Sequence, residues 1–262
     1  MTFDQWRRGM GTALAFTTFG LGGLCIGVLA TPLLFITIHD IERRQCVARR
    51  LIQRCFRCFI GMMRILGVLD YRFEQVERLQ RPSLLVLANH PSLIDVIFLL
   101  AHMPQADCIV KGRLASNPFT RGPIRAAGYI TNNDPETVLS AAKASLERGN
   151  SLVLFPEGTR TSPHRPIKFR RGGANIALRT ATDITPVLIR CSPTTLTKGE
   201  PWYRIPERKV QMDLRVLDDL PVNQDNQQPT GQLARQLTRW LSDHFNRELE
   251  HFYHERDARP DA

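Results

Sequence analysis

The chain has 262 residues, 43% hydrophobic and 23% charged, so it is long enough to build its own core, and wholesale disorder and fibrous or coiled-coil repeats are excluded. Thirty-five Lys and Arg against 25 Asp and Glu leave a net charge of +10, which favours an anionic partner: a phosphate ligand, nucleic acid, a lipid surface or an acidic carrier protein. The cysteines at 25, 46, 55, 58, 108 and 191 are too irregular for a disulfide framework, and Cys55-x-x-Cys58, lacking a second pair, reads as two small residues on a helix.

Taken in chain order, the first element runs from Gly9 to Ile38 without one charged side chain. A straight helix of that length reaches roughly 45 Å, against a bilayer core of about 30 Å. Residues 1–40 therefore read as a membrane segment, either a tilted or Pro32-kinked span or a re-entrant pair folded back at Gly20, Gly22 and Gly23. A signal peptide cleaved near Val28-Leu29-Ala30 is the competing reading, but the apolar run continues through Leu33-Leu34-Phe35-Ile36. Arg7 and Arg8 precede the segment, and Arg43, Arg44, Arg49, Arg50, Arg54 and Arg57 follow it, which puts the body on the cytoplasmic side, of the inner membrane if the cell is bacterial. Residues 41–70 come next. Leu51, Ile52, Cys55, Phe56, Phe59, Ile60, Met62, Met63 and Leu66 recur at helical spacing among arginines, the pattern of a basic amphipathic helix at a membrane interface.

From residue 71 to about 225 short apolar runs alternate with helical patterns. Leu84–Ala88, Cys108–Val110, Leu152–Phe155 and Ile184–Ile189 read as buried strands, and Lys209–Val216 alternates as an edge strand would. The fold class that follows is α/β, a layered mixed sheet flanked by helices, with chemistry in the loops at strand ends. A linker-like stretch, 221–230, leads into a C-terminal helix and tail over 226–262.

His-x4-Asp occurs twice, as His90 with Asp95 and as His102 with Asp107. The second pair straddles the helix-stopping Met103-Pro104 and reads as a surface feature. The first follows a strand and opens a helix, and Ser92 with Asp95 predicts a capping box whose carboxylate turns back toward the His90 ring. A carboxylate fixing one ring nitrogen while the other faces a hydroxyl is how a general base is built. Further along, Pro156 ends a strand and Gly158 allows a tight turn, so Glu157 and Arg160 are presented at the same strand-end edge. Lys168, Arg170 and Arg171 then run into Gly172-Gly173-Ala174, a cationic approach to a helix start that suits a phosphate.

Asn89-His90 with Asp95, then Phe155-Pro156-Glu157-Gly158-Thr159-Arg160, then Thr185-Pro186-Val187, resembles the glycerolipid acyltransferases, in particular the 1-acylglycerol-3-phosphate acyltransferases. Lys111, Leu114 and Pro118 match the same family's middle region. The resemblance implies acyl transfer without a covalent enzyme intermediate. His90 takes the proton of an acceptor hydroxyl and Asp95 orients it. Asn89, Glu157, Gly158, Thr159 and Arg160 form the acceptor site, with Lys111 beside it. The donor is acyl-CoA or acyl-carrier protein, used as co-substrate, with no cofactor and no metal. The implied partners are membrane lipid, that donor and a lysolipid-like acceptor.

One family block departs from the pattern. Where it ends in Arg, this chain reads Gly128-Tyr129-Ile130-Thr131-Asn132-Asn133-Asp134. Either Arg121 or Arg125 supplies the missing cation, or the acceptor is a glycolipid or other lipid without a phosphomonoester, whose hydroxyls a polar run of this kind suits. Nucleic acid is excluded as a partner, because the densest basic cluster sits beside the membrane segment and no aromatic-basic motif accompanies it. A catalytically silent membrane-anchored scaffold remains the reading from another class.

Overall fold

The structure is a computed structural model that describes residues 2–163, 165–222 and 230–258. Most of the linker-like stretch and the last residues of the tail lie outside the described residues. Seven strands form one sheet: β1 (Leu69–Glu74), β2 (Leu85–Ala88), β3 (Ala106–Lys111), β4 (Ile130–Asn132), β5 (Ser151–Leu154), β6 (Ile184–Ser192) and β7 (Val210–Val216). Their order is β1-β7-β6-β2-β5-β3-β4, and every pairing is parallel except β6 with β7. The central strand β2 is the continuous apolar run Leu-Val-Leu-Ala, buried on both sides as a parallel-sheet interior demands.

Helices cover both faces. On one face lie α1 (Phe3–Cys25), α2 (Thr31–Thr37), α3 (Ile41–Ile65) and α4 (Asp95–His102), and Ala15, Ile60, Met63, Phe98 and Leu99 pack there against Val86 and Val187. On the other lie α7 (Pro135–Glu147), α8 (Gly172–Thr180) and α9 (Thr230–Ala258), with Ala142, Ile176, Phe245 and Phe252 against Leu85, Leu87 and Leu152. Two short helices, α5 (Gly112–Ser116) and α6 (Arg121–Ala127), connect β3 to β4.

Three expectations change. The alternating Lys209–Val216 run is β7, which lies inside the sheet because β1 pairs along its outer side. The polar positions of β7 are matched rather than solvated, as Asp213 meets Arg190 and Arg215 meets Glu74. Helix α3 turns its apolar face inward: Ile52, Ile60 and Met63 are buried in the domain, so that face is not available to lie in a headgroup plane. Arg49, expected on its basic outer face, is buried and paired with Asp107 at 2.9 Å.

The N-terminal segment is helical from Phe3 to Thr37 and is long and apolar enough to cross a membrane. It does not fold back at Gly20–Gly23. Its irregularity is a π-helical turn over Ile26–Ala30, just before Pro32, whose missing N–H disturbs the regular ladder. The helix lies along the domain. Arg8 and Leu34 near its two ends are both buried, and at Gly27 it meets Gly122 of α6 so closely that a Cβ on Gly122 would sit 2.2 Å from the Gly27 Cα. Its outer stripe, Phe3, Trp6, Met10, Leu14, Leu21 and Leu24, stays exposed.

Candidate active site

The parallel strands β2, β3 and β5 release their loops at one edge of the sheet, the edge where α/β folds hold ligands. β2 ends in Asn89 and His90. The Asn89 amide donates to the Ile189 carbonyl at 2.7 Å and its Oδ1 accepts from the Ile189 N–H at 2.8 Å, extending the β2–β6 ladder with a side chain. Asn89, expected in the acceptor site, is fully buried, and its amide fixes where the strand exits.

After Asn89 the chain turns through Ser92–Ile94 and enters α4 at Asp95. The expected cap by the Ser92 hydroxyl does not form. Ile94 is the N-cap, and the Ser92 Oγ is buried without a hydrogen-bond partner. The acidic half of the box does form: Asp95 Oδ2 accepts from the Ser92 N–H at 2.7 Å and lies 2.8 Å from His90 Nδ1. Burial pushes the Asp95 carboxyl up, against the opposing pull of the His90 ring, the Ser92 amide and Arg160. The imidazole stacks on Phe155 with ring centroids 4.2 Å apart. With Nδ1 turned to the carboxylate, Nε2 is the ring nitrogen left for a substrate proton.

The loop after β5 closes on His90 from the other side. Glu157 Oε1 accepts from the His90 N–H at 3.1 Å and from the Thr161 hydroxyl at 2.6 Å, while Thr161 Oγ1 also accepts from the His90 N–H at 3.0 Å and the Thr161 N–H donates to the His90 carbonyl at 2.7 Å. Glu157, expected to hold the acceptor, is buried with Oε1 on the His90 peptide, and burial raises its carboxyl above the usual range. Thr161 carried no sequence signal, because nothing in a threonine after Arg160 announces that the loop folds back onto β2. Gly158 takes a φ of +67° and carries the Arg170 guanidinium over it, where a Cβ would meet Nε at 2.8 Å. Thr159 lies half-buried in the same turn.

Cations gather here. Arg160 donates to the Leu196 carbonyl at 2.6 Å. Lys111, exposed at the end of β3, has its ammonium pushed down first by partial desolvation and then by the positive charges of Arg113, Arg160, Lys198 and Arg170 near it. Arg121 and Arg125 sit on α6 and are exposed. Arg125 lies over the Phe35 ring of α2 at 5.1 Å, so the structure directs it to the N-terminal helices rather than to His90. Asp134 caps α7 by accepting from Thr137, and Asn132 pairs in register with Lys111. Among the described residues, no three His, Cys, Asp or Glu side chains come together as a metal site.

A histidine oriented by a buried carboxylate, at a strand end ringed by cations, can take a proton beside an anionic substrate. The Acyltransferase family model matches residues 70–190. The chain resembles the 1-acyl-sn-glycerol-3-phosphate acyltransferases. It is 28% identical to the Helicobacter pylori protein of that name over 169 residues, covering 62% of this chain and 69% of that one. To the Saccharomyces cerevisiae protein it is 26% identical over 191 residues, covering 69% and 61%. The crystal structure of the 1-acyl-sn-glycerophosphate (LPA) acyltransferase of Thermotoga maritima shares the fold, with a TM-score of 0.65 at 19% identity over 94% of this chain and 98% of that one.

Proposed function

We propose that the chain transfers a fatty acyl group from acyl-CoA or acyl-carrier protein to the free hydroxyl of a lysophosphatidate-like acceptor, with His90 as general base. In this reading Nε2 of His90 takes the hydroxyl proton, the oxygen attacks the thioester carbonyl, and the C–S bond breaks as the thiolate leaves and recovers the proton. Asp95 holds the ring in the tautomer that leaves Nε2 free. The 2.8 Å contact between His90 Nδ1 and Asp95 is the observation that carries the reading. Lys111, Arg160 and Arg170 supply the charge that the missing family arginine does not, since a phosphomonoester needs more than one cation to leave water.

The outer stripe of α1 lies in one leaflet of the membrane from which the acceptor is drawn, with the body on the cytoplasmic side. A helix docked on its own domain from Arg8 to Leu34 presents one face to lipid, which suits this placement better than a free span.

The test is thiol release from an acyl thioester, with mass spectrometry of the lipid product, using purified full chain in phosphatidylglycerol-containing vesicles. Lysophosphatidate is expected to be acylated, and Lys111→Gln to raise the KM for acceptor more than for donor. No release above background would overturn the reading. A second reading, an acceptor without a phosphomonoester, is favoured by Asn133 and Asp134 standing where the family has arginine. Under it lysophosphatidate is a poor substrate that Asn133→Arg improves.

A further inference from the structure

Between β6 and β7 the chain makes a long excursion, Pro193 to Lys209, at the same edge of the sheet as His90. We propose that this loop is a second membrane-contact element, in which Trp202 and Tyr203 meet an anionic lipid surface beside α1. The inference rests on the reading that the outer stripe of α1 lies in a membrane.

Trp202 is 44% exposed and Tyr203 67%, two large aromatics side by side at a loop tip with their rings edge to face at 5.9 Å. They are not free to wave, because the loop is bolted to α1. The Trp202 ring packs on Phe16 with centroids 5.3 Å apart. The Arg8 guanidinium, 1% exposed, donates to the carbonyls of Pro206 and Glu207 at 2.8 Å and of Arg208 at 3.0 Å. The aromatic pair is therefore held at the shoulder of the helix whose exposed stripe carries Trp6, Met10 and Leu14.

The chemistry of that surface selects a lipid interface. Trp and Tyr join an apolar ring to a polar tip and belong at headgroup depth, where one end is dry and the other wet. Lys198, Arg204, Arg208 and Lys209 lie on the same loop, against Glu200 and Glu207; Arg204 pairs with Glu200 at 3.7 Å and Lys209 with Asp70 at 3.1 Å. Glu200 also accepts from the Thr197 N–H at 3.0 Å and its hydroxyl at 3.1 Å, and with those two pairs set aside Lys198 and Arg208 outweigh Glu207, so the charge offered outward is positive and suits an anionic headgroup. The inner end of the same loop carries the Leu196 carbonyl that holds Arg160. Seating the loop on lipid thus sets a side chain of the site, and the Trp202→Ser/Tyr203→Ser variant is expected to raise the KM for acceptor embedded in vesicles several-fold while leaving a short-chain monomeric acceptor unaffected. Equal effects on both acceptors would overturn the assignment.

The chain has three tryptophans, Trp6 on α1, Trp202 on the loop and Trp240 on α9 across the sheet, so three single-tryptophan versions of the full chain, made with Phe replacements, report on three places at once. Each is mixed with phosphatidylglycerol vesicles carrying bromine on the acyl chains. Trp6 and Trp202 are expected to shift to the blue and lose emission, while Trp240 is unchanged. Quenching of Trp6 without Trp202 would overturn this inference and leave the membrane reading of α1 standing. Quenching of neither would overturn both, and equal quenching of all three would show unspecific spreading on the vesicle and overturn the assignment to the loop.

Discussion

The two His-x4-Asp pairs share a spacing and almost nothing else. His90 leaves a strand and Asp95 opens the helix that follows, so the chain doubles back and the two side chains meet at 2.8 Å. His102 closes that same helix and Asp107 lies on the next strand, so the chain runs on and they part. The His102 Nδ1 is 2.8 Å from the Phe98 carbonyl, and its ring packs against Tyr71 and Phe73. Asp107, expected at the surface, is buried and receives Arg49 at 2.9 Å and the Ser145 hydroxyl at 2.6 Å. Whether a carboxylate serves a histidine depends on which element each occupies. Distance along the chain does not decide it.

The largest effect that separates the pairs is on turnover. His90→Ala is expected to lower acyl transfer by about 10² to 10⁴-fold with its melting temperature near that of the parent, and His102→Ala to leave the rate per folded molecule unchanged. Equal losses in a thiol-release assay would erase the distinction. Asp95→Asn should fall in the same direction through the wrong tautomer, by up to about 10⁴-fold, the loss that follows when the histidine-orienting aspartate of a serine protease becomes asparagine.

Asp95→Asn also has a sign in stability, set by the burial of the carboxyl. Burial raises the Asp95 carboxyl, so ionising it costs the folded state, and that cost grows as pH rises from the ordinary carboxylate value near about 4 until the folded group has itself ionised. The Asn variant is therefore expected to melt higher than the parent at neutral pH, with the gain vanishing below about pH 4. A lower melting temperature with activity falling only in step would show that Asp95 serves the fold alone.

Asp107→Ala reverses the pattern. It strands the buried Arg49 guanidinium, a loss of about 3 to 5 kcal/mol by denaturant titration, while the rate per folded molecule is retained. Thr161→Val is the smallest effect. It deletes the hydroxyl shared by Glu157 and the His90 N–H, and is expected to cost about 1 to 3 kcal/mol of stability and a modest part of kcat, which Thr161→Ser restores.

Much of this was legible in the chain. Continuous apolar runs marked β2, β5 and β6 because buried parallel strands have no polar face, and His90, Asp95 and Arg160 stood out because each lies beside such a run. What stayed hidden depended on neighbours brought from far away. No pattern in Gln45–Leu69 tells a helix whose apolar face meets lipid from one whose face meets Phe98 and Leu99. Alternation in β7 looked like an edge because β1, its outer neighbour, is distant in sequence. Asn89 and Thr161 have polar side chains that suit a substrate equally well, and only the fold shows them spent on Ile189 and on the His90 peptide.

Arg8 has a consequence in time. The carbonyls that receive its guanidinium lie 198 to 200 residues downstream, so at about 5 to 20 residues per second the ribosome delivers them roughly 10 to 40 s after the arginine. Throughout that interval the nascent α1 has neither its hydrogen-bond acceptors nor Phe16's partner Trp202. Docking of the first helix is thus a late step of biosynthesis, and its apolar length must be sheltered by something other than its own domain while the sheet is still being made.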